Sequence, residues 1–177
     1  MSEMKTGTWM SWVALATAIM AVLAAITTLY LGKYSSRAIL NQGQETSQWA
    51  FYQAKSIKTY IYEIQKQKME VETVALANKP KAARDKYSQL INDYDKQIKR
   101  YDVEKVEIKA TADALAKSKE DAQARTGNFG YALIFLQIAI MLSSVSALTK
   151  KKPLFYLGLA TVSGWVFFFP DAIFLFY

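Results

Sequence analysis

No cysteine and no histidine occur among the 177 residues. Without cysteine there is no disulfide framework and no thiol nucleophile. Without histidine the commonest transition-metal ligand and the commonest general base are both missing. Also missing are a Gly-rich phosphate loop, a metal-ligand spacing and a nucleophile–base motif. Lys, Tyr, Asp, Glu and Ser are present, at positions where long solvated helices normally place them. A non-enzymatic chain is expected, with no metal, no cofactor and no evident small-molecule substrate.

Charge is modest in amount and mixed in sign. Of all residues 21% are charged, 52% are hydrophobic and the formal net charge is +7. Residues 33–125 hold 18 Lys and Arg against 13 Asp and Glu, a net +5 spread along the stretch. That is the solvated surface of long helices, not a nucleic-acid face.

The apolar residues are segregated. Residues 9–31 are 23 without a charge, 129–148 are 20, and 154–177 are 24 with one carboxylate, Asp171. Each reaches the roughly 20 residues needed to cross about 30 Å of hydrocarbon. The first run exceeds the 7–15-residue core of a cleaved leader and reads as a retained anchor. Within it Ala14, Ala18, Ala21 and Ala25 recur at helical spacing, a small-residue face of the kind that lets helices approach closely in lipid. Lys150, Lys151 and Lys152 sit in the short connection after the second run. Short loops dominate the positive-inside bias, so this loop and the amino terminus are expected in the cytoplasm. Residues 33–125 and the carboxyl terminus are then expected on the other side. Lys33, Arg37, Lys117, Lys119 and Arg125 pull against that assignment.

The charged stretch breaks once, at Asn78, Lys79 and Pro80, leaving arms 33–77 and 81–125 of 45 residues each. Equal arms suit a helical hairpin whose open ends are fixed at one surface, each arm reaching about 68 Å at about 1.5 Å per residue. Tyr87, Ile91, Tyr94, Ile98, Tyr101, Lys105, Ile108, Ala112 and Leu115 alternate steps of four and three, the 3.5-residue repeat of a coiled-coil seam. Ala50, Ala54, Ile57, Ile61, Ile64, Lys68, Val71 and Ala75 repeat that rhythm in the first arm. Pro80 suits the first turn of the second helix, and Asn78 the left-handed close of the first. Toward the membrane the first seam fades, and residues 41–44, Asn-Gln-Gly-Gln, leave either a kink or a continuous helix. Trp49, Phe51 and Tyr52 point around the helix in different directions, and Val103 and Val106 lie off the second seam. These five are expected to meet a further helix, most simply one from another copy of the chain.

The run QWAFYQAKSIK, Gln48 to Lys58, follows closely on the first span and on the NQGQ stretch. It resembles the signature of a bacterial membrane-protein family catalogued only as a domain of unknown function. The resemblance covers nearly the whole chain: one span, a Lys/Glu-rich helical region, then two closely spaced spans. It implies a bacterial inner-membrane protein and brings no reaction and no site residues.

Thr126, Gly127 and Asn128 read as punctuation before the second span. In that span Gln137 and Ser144 share a face, which suits hydrogen bonding to a neighbouring helix or the lining of a pathway. In the third, Asp171 falls near the far edge of the bilayer beside Pro170, where a terminal turn would let its carboxylate reach water. The whole is expected to be an all-α membrane protein. Three transmembrane helices are joined by a long antiparallel coiled-coil hairpin between the first and second. The expected role is a membrane-anchored scaffold that forms a homo-oligomer through its spans and hairpin and holds an unidentified protein partner. The alternatives are a channel or transport component, or an accessory subunit of a larger membrane complex.

Overall fold

The structure, a computed structural model, describes residues 2–75 and 80–175, with side chains described for residues 9–74 and from Pro80 onward. It is all-α: α1 spans Ser2–Ala75, α2 Lys81–Thr149 and α3 Lys152–Phe174. The three long helices pack as a bundle, and each is long and apolar enough to cross a membrane. Two compact units are formed, one from Met1–Leu40 with Ser118–Tyr177, the other from Asn41–Lys117.

In the first unit α1 buries Val13, Met20 and Thr27, while α2 buries Phe129, Ala132, Leu136, Ala139, Ser143 and Ser146. The α2 positions step by three and four, so one stripe of the helix faces its neighbours. Met20, Leu136 and Ala139 form the centre, with Leu23, Ile140, Val162 and Trp165 packed around it. The α2–α3 connection is short. Lys150 takes a left-handed φ of 57°, and Ser146 Oγ donates to the Lys151 carbonyl at 2.8 Å. Helix α3 then opens with proline in its first turn, where the missing N–H has no helical partner to lose. Glycine lets α3 approach α2. A Cβ on Gly158 would lie 3.1 Å from the Ala139 carbonyl oxygen, and one on Gly164 would lie 2.5 Å from Cγ of Phe135.

Residues 41–117 form the second unit, in which α1 and α2 run antiparallel. Their contacts step backward along α2 as α1 advances: Lys55 pairs with Glu104, Tyr62 meets Tyr101 and Tyr94, and Lys66 pairs with Asp95. At the start of α2 the Pro80 carbonyl accepts the Ala83 N–H at 3.0 Å. Asn78 and Lys79, expected at the turn, lie outside the described residues.

Helix continuity resolves one open choice and overturns one expectation. Helix α1 is unbroken through residues 41–44, the continuous one of the two forms left open. One glycine there costs only about 1 kcal/mol, and the helix is otherwise unbroken by proline. Helix α2 runs through Thr126, Gly127 and Asn128, where Thr126 Oγ1 bonds back to the Ala122 carbonyl at 2.7 Å, a helical arrangement. Helix α3 continues past Pro170 to Phe174, and Asp171 opens its last turn as expected, its carbonyl accepting the Leu175 N–H at 2.7 Å.

The second arm's seam is placed as expected. Tyr101 and Ala112 are buried, and Tyr87, Ile91, Tyr94, Ile98, Lys105, Ile108 and Leu115 are half-buried. The first arm's seam is not. Ala50, Ala54, Ile57, Ile61, Ile64, Lys68 and Val71 are all exposed, and the side chain of Ala75 lies outside the described residues. The face turned to α2 is instead Tyr52, Lys55, Thr59, Tyr62, Lys66 and Met69. Those positions also follow a 3.5-residue repeat, centred half a turn from the aliphatic one. Both stripes have the period of a packed helix, and the period alone does not choose between them.

Candidate functional site

Two places concentrate side chains with chemistry. The first is a polar latch at the carboxyl end of α3. Arg125 on α2 donates from Nη1 to the Ala172 carbonyl at 3.2 Å and to that of Ile173, which are among the last carbonyls of α3 and have no partner along the helix. Its Nε pairs with Asp121 Oδ2 at 3.1 Å, and its guanidinium lies 5.5 Å from the centroid of the Tyr34 ring. One turn along α2, Asn128 Nδ2 donates to Asp171 Oδ2 at 2.6 Å. A groove of about 430 Å³ beside them is lined by Ala124, Asn128, Phe167, Phe168 and Asp171.

Below the latch an aromatic column locks the three helices. Phe129 is fully buried, stacked against Tyr30 at 5.5 Å and Tyr34 at 5.6 Å. Phe169 meets its edge at 5.5 Å and Trp165 at 4.9 Å. Trp165 Nε1 donates to Thr27 Oγ1 at 3.1 Å, which gives the buried indole N–H its partner. Ser143 Oγ is the one fully buried side-chain oxygen among the described residues with no partner. The latch holds helices together. Arg125 bonds to Asp121 and to the end of α3, and Asp171 accepts from the Asn128 amide.

Sequence reasoning placed Asp171 near water at the edge of the third span and missed both Arg125 and Asn128 as its neighbours. A signal was available. Counted from the α2–α3 turn at Lys150 and Lys151, Asn128 and Asp171 stand nearly the same number of residues away, so antiparallel helices bring them level.

The second place is the outer surface of residues 41–117. Trp49 and Tyr52 are half-buried and meet edge to face at 5.7 Å. Phe51, Val103 and Val106 remain 58%, 61% and 69% exposed. Between α1 and α2 the contacts are ionic and aromatic. Lys55 lies 4.8 Å from the Tyr101 ring centroid while pairing with Glu104, and Asp95 binds both Lys66 at 2.9 Å and Lys99 at 2.6 Å. The Lys66 hydrogen bond, seconded by Lys99, lowers the Asp95 carboxyl from 3.8 to about 2. Lys55 lowers Glu104 in the same way, and hydrogen bonding to Asp102 raises Lys105. Such solvent-facing pairs are screened by water and salt and contribute little to stability. Burying an Ile or Val side chain contributes about 1.5–3 kcal/mol. Apolar burial is thus the stronger of the two, and the outer face of α1 leaves it unused.

The alanine face expected in the first span is exposed at Ala14, Ala18, Ala21 and Ala25. Three of these four line an apolar groove of about 650 Å³ with Met10, Val13, Ser144 and Leu148. Ser144, singled out separately in the sequence, is thus brought to the alanines, although its hydroxyl already donates to the Ile140 carbonyl at 2.8 Å. Gln137 is exposed and stands away from that groove.

Three packed helices of membrane-spanning length, tied by aromatic and polar contacts, define the class: an all-helical protein with membrane-length helices. Residues 9–175 match DUF4337, a domain of unknown function, and the chain belongs to that family. No curated protein and no solved structure matches it.

Proposed function

We propose that this is a membrane-anchored structural protein, non-enzymatic, which self-associates to form a scaffold and holds a protein partner. The three membrane-length helices cross the bacterial inner membrane. Residues 41–117 lie within an antiparallel coiled-coil hairpin outside the bilayer, on the periplasmic side together with the carboxyl terminus. The amino terminus and Lys150–Lys152 are cytoplasmic.

One observation carries the reading: the unit formed by residues 41–117 leaves large apolar side chains uncovered on both of its helices, Phe51 on α1 and Val103 and Val106 on α2. Scattered exposed apolar residues are ordinary. Here they recur along both helices of one unit, and such surfaces mark protein contacts. The exposed alanines and their groove supply a second surface suited to helix packing in lipid. The mass of the purified assembly in nanodiscs tests the proposal. A protein mass of several 20.0 kDa chains is the expected result, and a single chain per disc at all concentrations overturns self-association.

A further inference from the structure

We infer that the aliphatic stripe of α1 is where copies of this chain meet, in a parallel, in-register coiled coil of three or four α1 helices. This deepens the scaffold reading and rests on it. The stripe is built for a helical partner. Ile57, Ile61, Ile64, Lys68 and Val71 fall at alternating steps of four and three, the spacing that keeps one seam toward a neighbour over many turns. Phe51, Tyr60 and Val74 flank that seam. The seven apolar side chains among these expose between 53% and 80% of their surface. At on the order of 100 Å² each, that makes about 700 Å² per copy, close to the roughly 800 Å² a partner buries in a standard-size interface. Helix α2 packs on the opposite face of α1, against Thr59, Tyr62 and Lys66, and leaves the stripe unobstructed.

The occupant follows from symmetry and charge. Copies in one bilayer are related by an axis along its normal, and such an axis brings each residue beside its own counterpart at the same height. In that register the flanking positions pair Gln53 with Lys58, Tyr60 with Gln65 and Gln67 with Glu72. No like charges meet at these flanking positions; within the seam the Lys68 side chains of the copies converge. Isoleucine occupies both inward positions of the repeat, one at Ile57 and Ile64 and the other at Ile61, which favours three or four strands over two. Lys68 is the lone charged residue of the seam. A polar residue there fixes register and subunit number at a cost in stability.

The native chain has no cysteine, so single cysteines in the full-length protein, oxidised in native membranes, read the contact directly. Ile61→Cys and Ile64→Cys should each give a disulfide-linked dimer in more than half of the chains. Val106→Cys, on the outward face of α2, should give under a tenth. In nanodiscs Ile64→Lys should reduce three or four copies to one with its helical circular dichroism retained. Lys68→Ile should lower the concentration at which the assembly dissociates by tenfold or more. Cross-linking at Ala18→Cys but not at Ile61→Cys would overturn the stripe and leave a span-mediated scaffold standing. No cross-link at any site, with single-copy mass for the native chain, would overturn the scaffold itself. A weaker Lys68→Ile assembly would also refute the stripe.

Discussion

Asp95 stands between Lys66 and Lys99, and its carboxyl is lowered to about 2 chiefly by the Lys66 hydrogen bond. A carboxylate whose folded value lies below its usual 3.8 stabilises the fold fully above about pH 4. That contribution is lost as pH falls from there through about 2, because the unfolded chain takes up the proton first. Glu104, lowered by Lys55, acts in the same direction. The side chain of Asp95 is about a third exposed, so water and salt screen the effect and it stays small. Asp95→Asn should flatten the acid side of the stability curve. In thermal melts of the full chain in detergent micelles, the native melting temperature should drop more between pH 4.5 and 2.5 than that of the variant. Added salt should narrow the difference. Equal drops at low salt would show that the Lys66 and Lys99 contacts do not hold the carboxylate in solution.

At the scale of the helices, two glycines separate packing from propensity. Replacing glycine by alanine within a helix gains up to about 1 kcal/mol when the added methyl meets nothing. Gly43 is such a site, with open space around the position of a Cβ, whereas a Cβ on Gly164 would lie 2.5 Å from the Phe135 ring. That ring is stacked on Phe168, and the nearest atom is its fixed root instead of a mobile end. The clash should cost about 1–3 kcal/mol and outweigh the propensity gain. Gly43→Ala should therefore raise the melting temperature slightly and Gly164→Ala should lower it, measured side by side in one detergent. A rise for both would mean that α3 shifts freely against α2.

The same helices show how far the sequence could be read. The helical class, the three membrane-length runs and the seam of α2 follow from apolar spacing, because one clear stripe per helix leaves one answer. Helix α1 carries two stripes of equal period, one aliphatic and one of Tyr, Lys and Thr, and hydrophobicity pointed to the first. Within the chain α2 offers Glu104, Asp95, Tyr94 and Tyr101 at matching heights, and these pair with Lys55, Lys66 and Tyr62 of the second stripe. Cross-helix complementarity of that kind is invisible until both helices are aligned. Punctuation residues misled for a related reason. At residues 126–128, Gly127 costs its helix about 1 kcal/mol, little beside what packing along its length returns.

At the scale of the whole molecule, electrostatics supports the proposed assignment of each end to a side of the bilayer. Lys150–Lys152 remain at the α2–α3 turn, with α3 beginning already at Lys152, so three positive charges crowd one short connection. Of the charges that pull the other way, Arg125 is engaged by Asp121 and by two carbonyls of α3, which weakens its claim as a free topological signal. Long connections translocate largely regardless of charge, and short ones close to a span decide. A reporter fused beside Lys79 should accordingly be active only in a form that matures outside the cytoplasm. Replacing Lys150, Lys151 and Lys152 together by glutamine should give a mixture of both orientations, scored by the ratio of a periplasmic to a cytoplasmic reporter at that site. Activity of the cytoplasmic reporter alone in the native sequence would invert the arrangement and place the α1 stripe inside the cell. Its seam and its partner would be unchanged.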